Sequence, residues 1–436
     1  MTSVNSKNKY ITLINYPHKD SWDKTRNFVE FDINNVHYTL TNSIRRCIIS
    51  SVKSVGFRTE PAKKCQLNVI VNDTPIHNQM LIHRMAMIPI NYKKVESYDE
   101  DEFSYEINEI NDTNVIKDIT TEHIRVKRLS NNTYLSEEDC RKLFPPDPIT
   151  GDYLLITKLR PKYYTPIKYN QELINTINSN YEKKVEESMK LHIEGRAVVS
   201  NGKENGHFSP SCASFYINRI DPEKSKIAED EYVLKQVEFC KQNDLTLPSE
   251  EKLRNKFNVS ERGLHFYTNE KGDPYKFKFT IESVGVIPPL VIFHQSISIL
   301  INKINLFLSN LINKNRSVIQ VNESLQLNDG YDIVVMDEDD TLGGIIQSYL
   351  SNNYCDYSLE PEERKLDFVG YKKPHPLENY IIITVQSVGK NLETIINEVI
   401  SPGCKNIVKI LNNISNELEN TKQFTDEMKI IANHKF

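Results

Sequence analysis

The chain has 436 residues, of which 39% are hydrophobic and 26% are charged, an ordinary balance for a globular protein of two or three domains. Its formal net charge of −5 argues against a protein whose main task is to coat nucleic acid, because phosphate binding needs a clustered positive surface. We therefore expect any contact with nucleic acid to be local or indirect.

The seven cysteines are scattered and are never spaced as C-x2-C. This pattern favours reduced intracellular thiols over a disulfide framework or a zinc site. No apolar run approaches 18 residues, and the N-terminal sequence lacks the apolar segment of a signal peptide. The sequence thus predicts an intracellular protein without a membrane span.

The first predicted helix follows the strand-like segment "NFVEFDINNVHYTL". Its buried face is predicted from apolar residues at helical spacing, namely Ile44, Cys47, Ile48, Val52 and Val55. Gly56 is the expected end of the helix. Arg45 and Arg46 fall mostly outside the apolar stripe, so they either form a solvated face or dock a partner.

A β-rich module with long loops is predicted from about Phe57 to Gly206. It has a strand at 66–72, a short helix at 77–87 that Pro89 ends, and further strands in "YLLITKLRP" and "LHIEGRAVV". Residues 222–262 are highly charged and are predicted to be helical without a clean apolar stripe.

A long helix comes next, which Pro288 and Pro289 introduce and which extends to about Lys314. Strands are predicted at 318–321 and 331–336, followed by "DEDDTLGG" and its helix. The extended segment "FVGYKKPHPLENYIIITV" comes next. Helices then run to the end of the chain, with an expected interruption at Ser401-Pro402-Gly403.

Two segments return later in the chain, without gaps and in the same order. "TLTNSIRRCI" (39–48) aligns with "TLGGIIQSYL" (341–350), and "FTIESVG" (279–285) aligns with "ITVQSVG" (383–389). One unit is therefore present twice, and a large insertion splits the first copy. A unit below ~120 residues buries little surface alone, so we expect each copy to cover the apolar face of the other as a pseudo-twofold dimer.

Common catalytic motifs are absent: the sequence has no phosphate-binding glycine loop, no H-E-x-x-H and no G-x-S-x-G. The run "DEDD" (337–340) could hold magnesium, but acidic residues that precede a helix also stabilise its positive end, with Asp340 as the expected cap. His375 stands between Pro374 and Pro376, where a structural contact is more in keeping with the pattern than a catalytic base.

Several of these stretches carry a resemblance to a known family. "LTNSIRRCIISSV", "IHNQMLIHRMAMIPI", "GKENGHFSPSCASFY" and "ESVGVIPP" resemble the alpha-type assembly subunits of multisubunit RNA polymerases, namely bacterial alpha, its D-type archaeal counterpart and the third-largest eukaryotic subunit. "DEDDTLGGII" and "VGYKKPHPLENYIIITVQS" resemble the small partner, which is the L-type protein in archaea and the eleventh subunit in RNA polymerase II. Both partners in one chain look like the fusions of large DNA viruses.

The resemblance implies an α+β fold with two pseudo-symmetric dimerisation units in one chain. The expected boundaries are 25–57 and 207–314 for the first unit, 58–206 for the β-rich insert domain, and 316–436 for the second unit. The implied function is a non-catalytic assembly platform that docks the two large catalytic subunits, with other small subunits as partners and DNA and RNA reached only through the complex. The implied location is intracellular, and for a viral protein the virion, host cytoplasm or nucleus.

By the same resemblance, we expect a set of residues to form interfaces with partners or between the units: Asn42, Ile44, Arg45, Arg46, Ile48, His83, Arg84, Pro89, Leu342, Gly343, Ile346, Pro374, His375 and Pro376. Arg45 and Arg46 would help to dock one of the large subunits, and the segment from His83 to Pro89 would brace the insert domain.

The sequence departs from the family pattern in two ways. Asp340 and Gly344 stand where the small partner usually has histidine and asparagine. Residues 66–139 contain no cysteine, whereas some relatives bind zinc or an iron–sulfur centre through a cysteine cluster there, so we expect no metal or cofactor. The alternatives to an assembly role are a free-standing nucleic-acid-binding or regulatory protein that reuses the fold, and an enzyme in which distant carboxylates join "DEDD".

Overall fold

The computed structural model describes residues 9–16, 27–161, 188–355, 364–387 and 389–436. The strands within these ranges are β1 (Ile11–Asn15), β2 (Phe28–Asn34), β3 (Lys53–Gly56), β4 (Leu67–Asn72), β5 (Phe103–Asn111), β6 (Lys117–Thr120), β7 (Arg125–Arg128), β8 (Thr133–Tyr134), β9 (Leu155–Leu159), β10 (Met189–Gly195), β11 (Val198–Asn201), β12 (Ser211–Asn218), β13 (Lys276–Ser283), β14 (Ile319–Glu323), β15 (Gly330–Met336), β16 (Phe368–Lys372) and β17 (Tyr380–Gln386).

The helices in the same ranges are α1 (Tyr38–Ser50), α2 (Asn78–Ala86), α3 (Glu137–Leu143), α4 (Pro222–Gln242), α5 (Glu250–Ser260), α6 (Pro289–Ile312), α7 (Asp340–Leu350), α8 (Leu392–Ile395), α9 (Ser401–Glu419) and α10 (Lys422–Asn433). Single 3₁₀ turns occur at Ala62–Lys64, Val95–Ser97, Thr121–His123, Gly206–Phe208 and Arg262–Leu264. Wider π turns occur at Ser351–Cys355 and Ile396–Ile400.

The first antiparallel sheet has the strand order β1-β2-β13-β12 and supports α1 and α6. Along β2, Val29, Phe31 and Ile33 alternate toward the core and are fully buried. Phe31 meets Phe293 of α6 edge to face, with 4.9 Å between the ring centroids. The alternation of apolar residues along β2 thus fixes which face of the sheet receives the long helix.

The second sheet repeats this arrangement with the order β14-β15-β17-β16. The short helix begins four residues after the end of its strand in both units, β2 before α1 and β15 before α7. Phe31 pairs with Phe279 in the first sheet, and the residues aligned with them, Ile333 and Ile383, pair in the second. The two units therefore share strand order and register as well as the repeated sequence.

The insert domain is built on a five-stranded sheet of order β4-β10-β5-β7-β8, with β6 and β9 as a separate pair. A ribbon of β3 and β11 leads into it from α1. The expectation that α1 continues to Gly56 is wrong, because α1 ends at Ser50 and Val55 lies in β3. Val55 pairs with Val199, a partner 144 residues away that helical periodicity does not reveal.

The charged segment after β12 forms α4 and α5, which contact each other and leave most of their side chains exposed. The helix α6 is long and apolar enough by its length and composition to cross a membrane, although no single apolar run of 18 residues occurs in it. Its apolar face packs against α1 and α9. A buried core helix can have the same length and apolar composition as a helix that crosses a membrane.

The expected interruption at Ser401-Pro402-Gly403 is wrong, because α8, a π turn and α9 follow one another without a break. The π turn directly precedes α9, and Pro402 lies in the first turn of α9, where the missing N–H of proline is tolerated. A Cβ on Gly403 would lie 2.7 Å from Cδ2 of Leu350, so glycine permits the close approach of α9 to α7.

Candidate functional site

The helices that carry the repeated sequence pack against each other. Helix α1 contacts α7, and the long helix α6 contacts α9. The predicted interface residues Ile44, Ile48, Leu342 and Ile346 are all buried, with at most 2% of any of them exposed. The contact between the two units therefore has an apolar centre that draws residues from both.

Two hydrogen bonds connect equivalent positions of α1 and α7. The hydroxyl of Thr39 donates to Oγ of Ser348 at 3.1 Å, and Nε of Arg46 donates to Oγ1 of Thr341 at 3.0 Å. Thr39 and Thr341 occupy the same place in the repeat, as do Arg46 and Ser348. The guanidinium of Arg46 also lies 3.7 Å from a carboxylate oxygen of Asp340. Each helix thus contacts the other through the same two positions of the repeat, which are 39 and 46 in α1 and 341 and 348 in α7.

The carboxylates of the acidic run at 337–340 contact different partners. Asp339 accepts a hydrogen bond from N–H of Thr341 at 2.9 Å and caps α7, so the expectation that Asp340 is the cap is wrong. The backbone of Asp339 is extended and the helix begins at Asp340, which makes Asp339 the capping position. Burial acts to raise the pKa of Asp339, but its hydrogen bonds with Thr341 and the charge of Lys303 outweigh burial and lower it.

Glu338, in the same run, lies 2.7 Å from Nζ of Lys303 on α6. Burial acts to lower the pKa of Lys303, but the charge and hydrogen bond of Glu338 and the charge of Asp339 together outweigh burial and raise it. The run therefore makes contacts within and between the units, and its carboxylates do not converge on one point.

Arg45 and Asn42 form a contact within α1. Nε of Arg45 donates to Oδ1 of Asn42 at 3.0 Å, and both residues are half-buried. Arg45 therefore differs from Arg46, which binds the second unit. The expected role of Asn42 and Arg45 in contacts with a partner stays a prediction.

The segment from His83 to Pro89 lies in the insert domain. Arg84 donates from Nε to the carbonyl of Ile156 at 2.7 Å and from a terminal nitrogen to the carbonyl of Leu155 at 2.8 Å. These bonds attach α2 to β9. His83 is exposed and Pro89 is half-buried.

The Pro-His-Pro segment lies in a turn, and the expectation of one extended segment is wrong because β16 and β17 form a hairpin around it. Pro374, His375 and Pro376 are exposed. Nδ1 of His375 accepts a hydrogen bond from N–H of Leu377 at 3.2 Å, which stabilises the turn. These residues do not join the apolar centre between the units.

Sequence reasoning missed His37, which caps α1 and faces the second unit. Its Nδ1 lies 3.3 Å from Oγ of Ser348, and its Nε2 lies 3.2 Å from Nδ2 of Asn352. Burial lowers the pKa of His37, although the charge of Asp273 opposes this effect. His37 also lines a cavity of about 290 Å³ between the units. The position of His37 directly before the repeated helix was the feature of the sequence that could have identified it as a capping residue.

Sequence reasoning also missed Glu427 of α10, which is fully buried at the start of α6. Its Oε2 accepts hydrogen bonds from N–H of Leu290 at 2.8 Å and of Val291 at 3.3 Å. Pro288, the capping residue of α6, supplies no side-chain hydrogen bond. A helix start without its own cap was the only signal that a distant acceptor was needed.

Lys93 connects the insert domain to both units. Its Nζ donates to the carbonyl of Val286 at 2.8 Å, and its backbone N–H donates to the carbonyl of Phe436 at 3.0 Å. Burial lowers the pKa of Lys93 to about 8. The insert domain is therefore attached by polar contacts as well as by the β3-β11 ribbon.

Comparison with protein families identifies the repeated unit. A family model described as the RNA polymerase Rpb3/Rpb11 dimerisation domain matches residues 30–304, which is more than half of the chain. The chain belongs to this family. A second model of the same description matches residues 331–417. Two Rpb3/Rpb11 dimerisation domains in one chain support a fused alpha-type RNA polymerase subunit.

One curated relative is the "Conjugation stage-specific protein" of Tetrahymena thermophila, which is 21% identical over 206 residues. The match covers 44% of this chain and 56% of the relative, so the chain spans little more than half the length of that protein.

Proposed function

We propose that this chain is a non-catalytic assembly platform, an intramolecular pseudo-heterodimer on which the two large catalytic subunits of a DNA-dependent RNA polymerase dock. The observation that carries the proposal is the reciprocal pair of hydrogen bonds, Thr39 to Ser348 and Arg46 to Thr341. A twofold interface uses the same patch on both partners, so residue i of one meets residue j of the other and the reverse. The buried apolar residues between α1 and α7 support the same reading.

The proposed docking surfaces lie away from this buried centre. Met80 and His83 of α2 and Met87, which directly follows α2, share one exposed face because they recur at three- and four-residue spacing. The exposed turn around His375 is a second surface, and Arg45 on α1 is a third. Exposed methionines are common at protein-binding surfaces because their side chains adapt to a partner.

Co-expression of the tagged full chain with the two large polymerase subunits of the same source tests the proposal. Stoichiometric recovery of both large subunits is the expected result. Arg45→Ala should reduce recovery while leaving the melting temperature nearly unchanged, because a solvent-accessible charge contributes little to stability. Arg316→Ala, in the exposed linker between the units, is the matched control and should bind normally. Full recovery with Arg45→Ala would assign that residue to a solvated face.

Recovery of the free chain, or of the chain with nucleic acid and neither large subunit, would instead favour a free-standing nucleic-acid-binding or regulatory protein. An intracellular location, including a viral compartment for a viral source, remains part of the proposal and is tested by cell fractionation.

A further inference from the structure

The outer face of the insert sheet brings three potential metal ligands together. On β5 and β10, Ile107 and Ile193 point toward the core and are buried, so their neighbours Glu106, His192 and Glu194 point outward. Nε2 of His192 lies 3.2 Å from Oε1 of Glu106 and 2.9 Å from Oε1 of Glu194. One ligand atom from each of the three side chains lies within 4.8 Å of the other two.

Within the cluster two carboxylates face one imidazole, and the guanidinium of Arg125, opposite Glu106 on β7, pairs with Glu137. Glu106 and Glu194 are directly opposite each other in the antiparallel register of β5 and β10, where like charges destabilise a sheet. His192 is the only cluster member that can donate a hydrogen bond, and Nε2 carries at most one hydrogen. It cannot direct that hydrogen at both carboxylates, whereas a cation at the centre attracts both.

We propose that Glu106, His192 and Glu194 bind one divalent transition-metal ion, with Zn²⁺ as the best match. Imidazole and carboxylate are ordinary zinc ligands at ~2.0–2.2 Å, and three protein ligands leave a fourth position for water. The side chain of Glu194 is 48% exposed, so solvent reaches this position. The hydroxyl of Tyr134 donates to Oε2 of Glu106 at 2.6 Å and orients that ligand from outside the site.

The bound ion joins β5 to β10 and neutralises the opposed carboxylates. The site is independent of the proposed polymerase role, because its ligands lie in the insert domain. The site also uses no cysteine, whereas the expectation of no metal rested on the absence of a cysteine cluster. The ligands come from two strands far apart in sequence, so spacing along the chain does not reveal them.

Titration of the metal-free full chain with ZnCl2, followed by calorimetry at pH 7.5, tests the proposal. The expected result is one equivalent with a micromolar or lower Kd, weakened at least tenfold by His192→Ala and by Glu106→Gln. His375→Ala removes an exposed histidine outside the cluster and should leave the Kd unchanged. Absence of binding, or equal binding by His192→Ala and the unaltered chain, would overturn the proposal.

Glu194→Gln provides a second test that does not depend on His192→Ala folding, because Glu194 is half-exposed. In metal-free protein at pH 8, this change should raise the melting temperature by removing the repulsion with Glu106. Zinc should raise the melting temperature of the unaltered chain but not that of Glu194→Gln. Equal stabilisation of both proteins by zinc would contradict the site.

Discussion

Nζ of Lys303 lies 2.7 Å from Oε2 of Glu338, and this ion pair joins the long helix of the first unit to the segment that precedes α7 in the second. The side chains are only 22% and 19% exposed. The pair therefore connects the two units at a site where water screens the charges weakly.

We expect Lys303→Met to lower the free energy of unfolding by about 1–3 kcal/mol, because it leaves a largely buried carboxylate without its partner. Glu338→Gln should cost less, since the amide still accepts a hydrogen bond. In chemical denaturation, the double variant should be less destabilised than the sum of the single variants. Additive losses would show that the two side chains do not interact.

Replacement of Ile346 by aspartate should break the contact between the units, because an unpaired carboxylate in the apolar centre costs at least ~3 kcal/mol. Ile44→Asp, at the aligned position of α1, should have the same effect. Ile49→Asp is the control, since Ile49 is on α1 but 39% exposed. Thermal unfolding measures all three, and a loss from Ile49→Asp as large as from Ile44→Asp would contradict a localised interface.

A chain cut near Asn315 should still assemble from its two halves. The cut falls between α6 and β14 among exposed residues, so the linker supplies effective concentration and few contacts. Co-expressed halves should copurify, and each half alone should aggregate because its apolar helices are uncovered. Two well-behaved monomers without mutual affinity, seen by size-exclusion chromatography, would refute the pseudo-heterodimer.

Adjacent glycines in α7 should respond oppositely to alanine. A Cβ on Gly343 would lie 2.7 Å from Cδ2 of Tyr371, so Gly343→Ala should destabilise the protein by about 1–3 kcal/mol through overpacking. At Gly344 the nearest atom is the hydroxyl of Tyr371 at 3.9 Å. Gly344→Ala should therefore be neutral or stabilise by up to ~1 kcal/mol, because alanine favours helix. Melting temperatures of the two variants distinguish these effects.

Lys93 should make stability depend on pH in the alkaline range. Its pKa is about 8 in the folded chain and is ordinarily 10.5, so between these values the unfolded chain binds more protons. This group therefore makes the free energy of unfolding rise with pH from about 8 to 10.5. Lys93→Met should remove that contribution, so the difference between the variant and the unaltered chain should shrink or reverse across this window in denaturation experiments. An unchanged difference would contradict the lowered pKa.

The sequence alone determined the duplicated unit and most of its elements. The alternation of apolar residues along β2 and their helical spacing along α6 and α9 are local patterns. They can be read from the sequence because apolar residues tend to lie on the buried face of an element. The gap-free repeat also predicted that Thr39 and Thr341 occupy equivalent places. The expected domain boundaries and the partner-binding roles of individual residues stay predictions.

Only the tertiary structure decided which side chains meet. Arg46 and Arg45 are neighbours in one motif, yet the crossing of α1 and α7 directs Arg46 to Thr341, while Arg45 bonds to Asn42 within its own helix. Glu427 caps α6 by accepting from N–H of Leu290, which lies 137 residues earlier in the chain. Such pairings depend on how distant elements pack and on which charged side chains the packing buries. The local periodicity of the sequence contains neither kind of information.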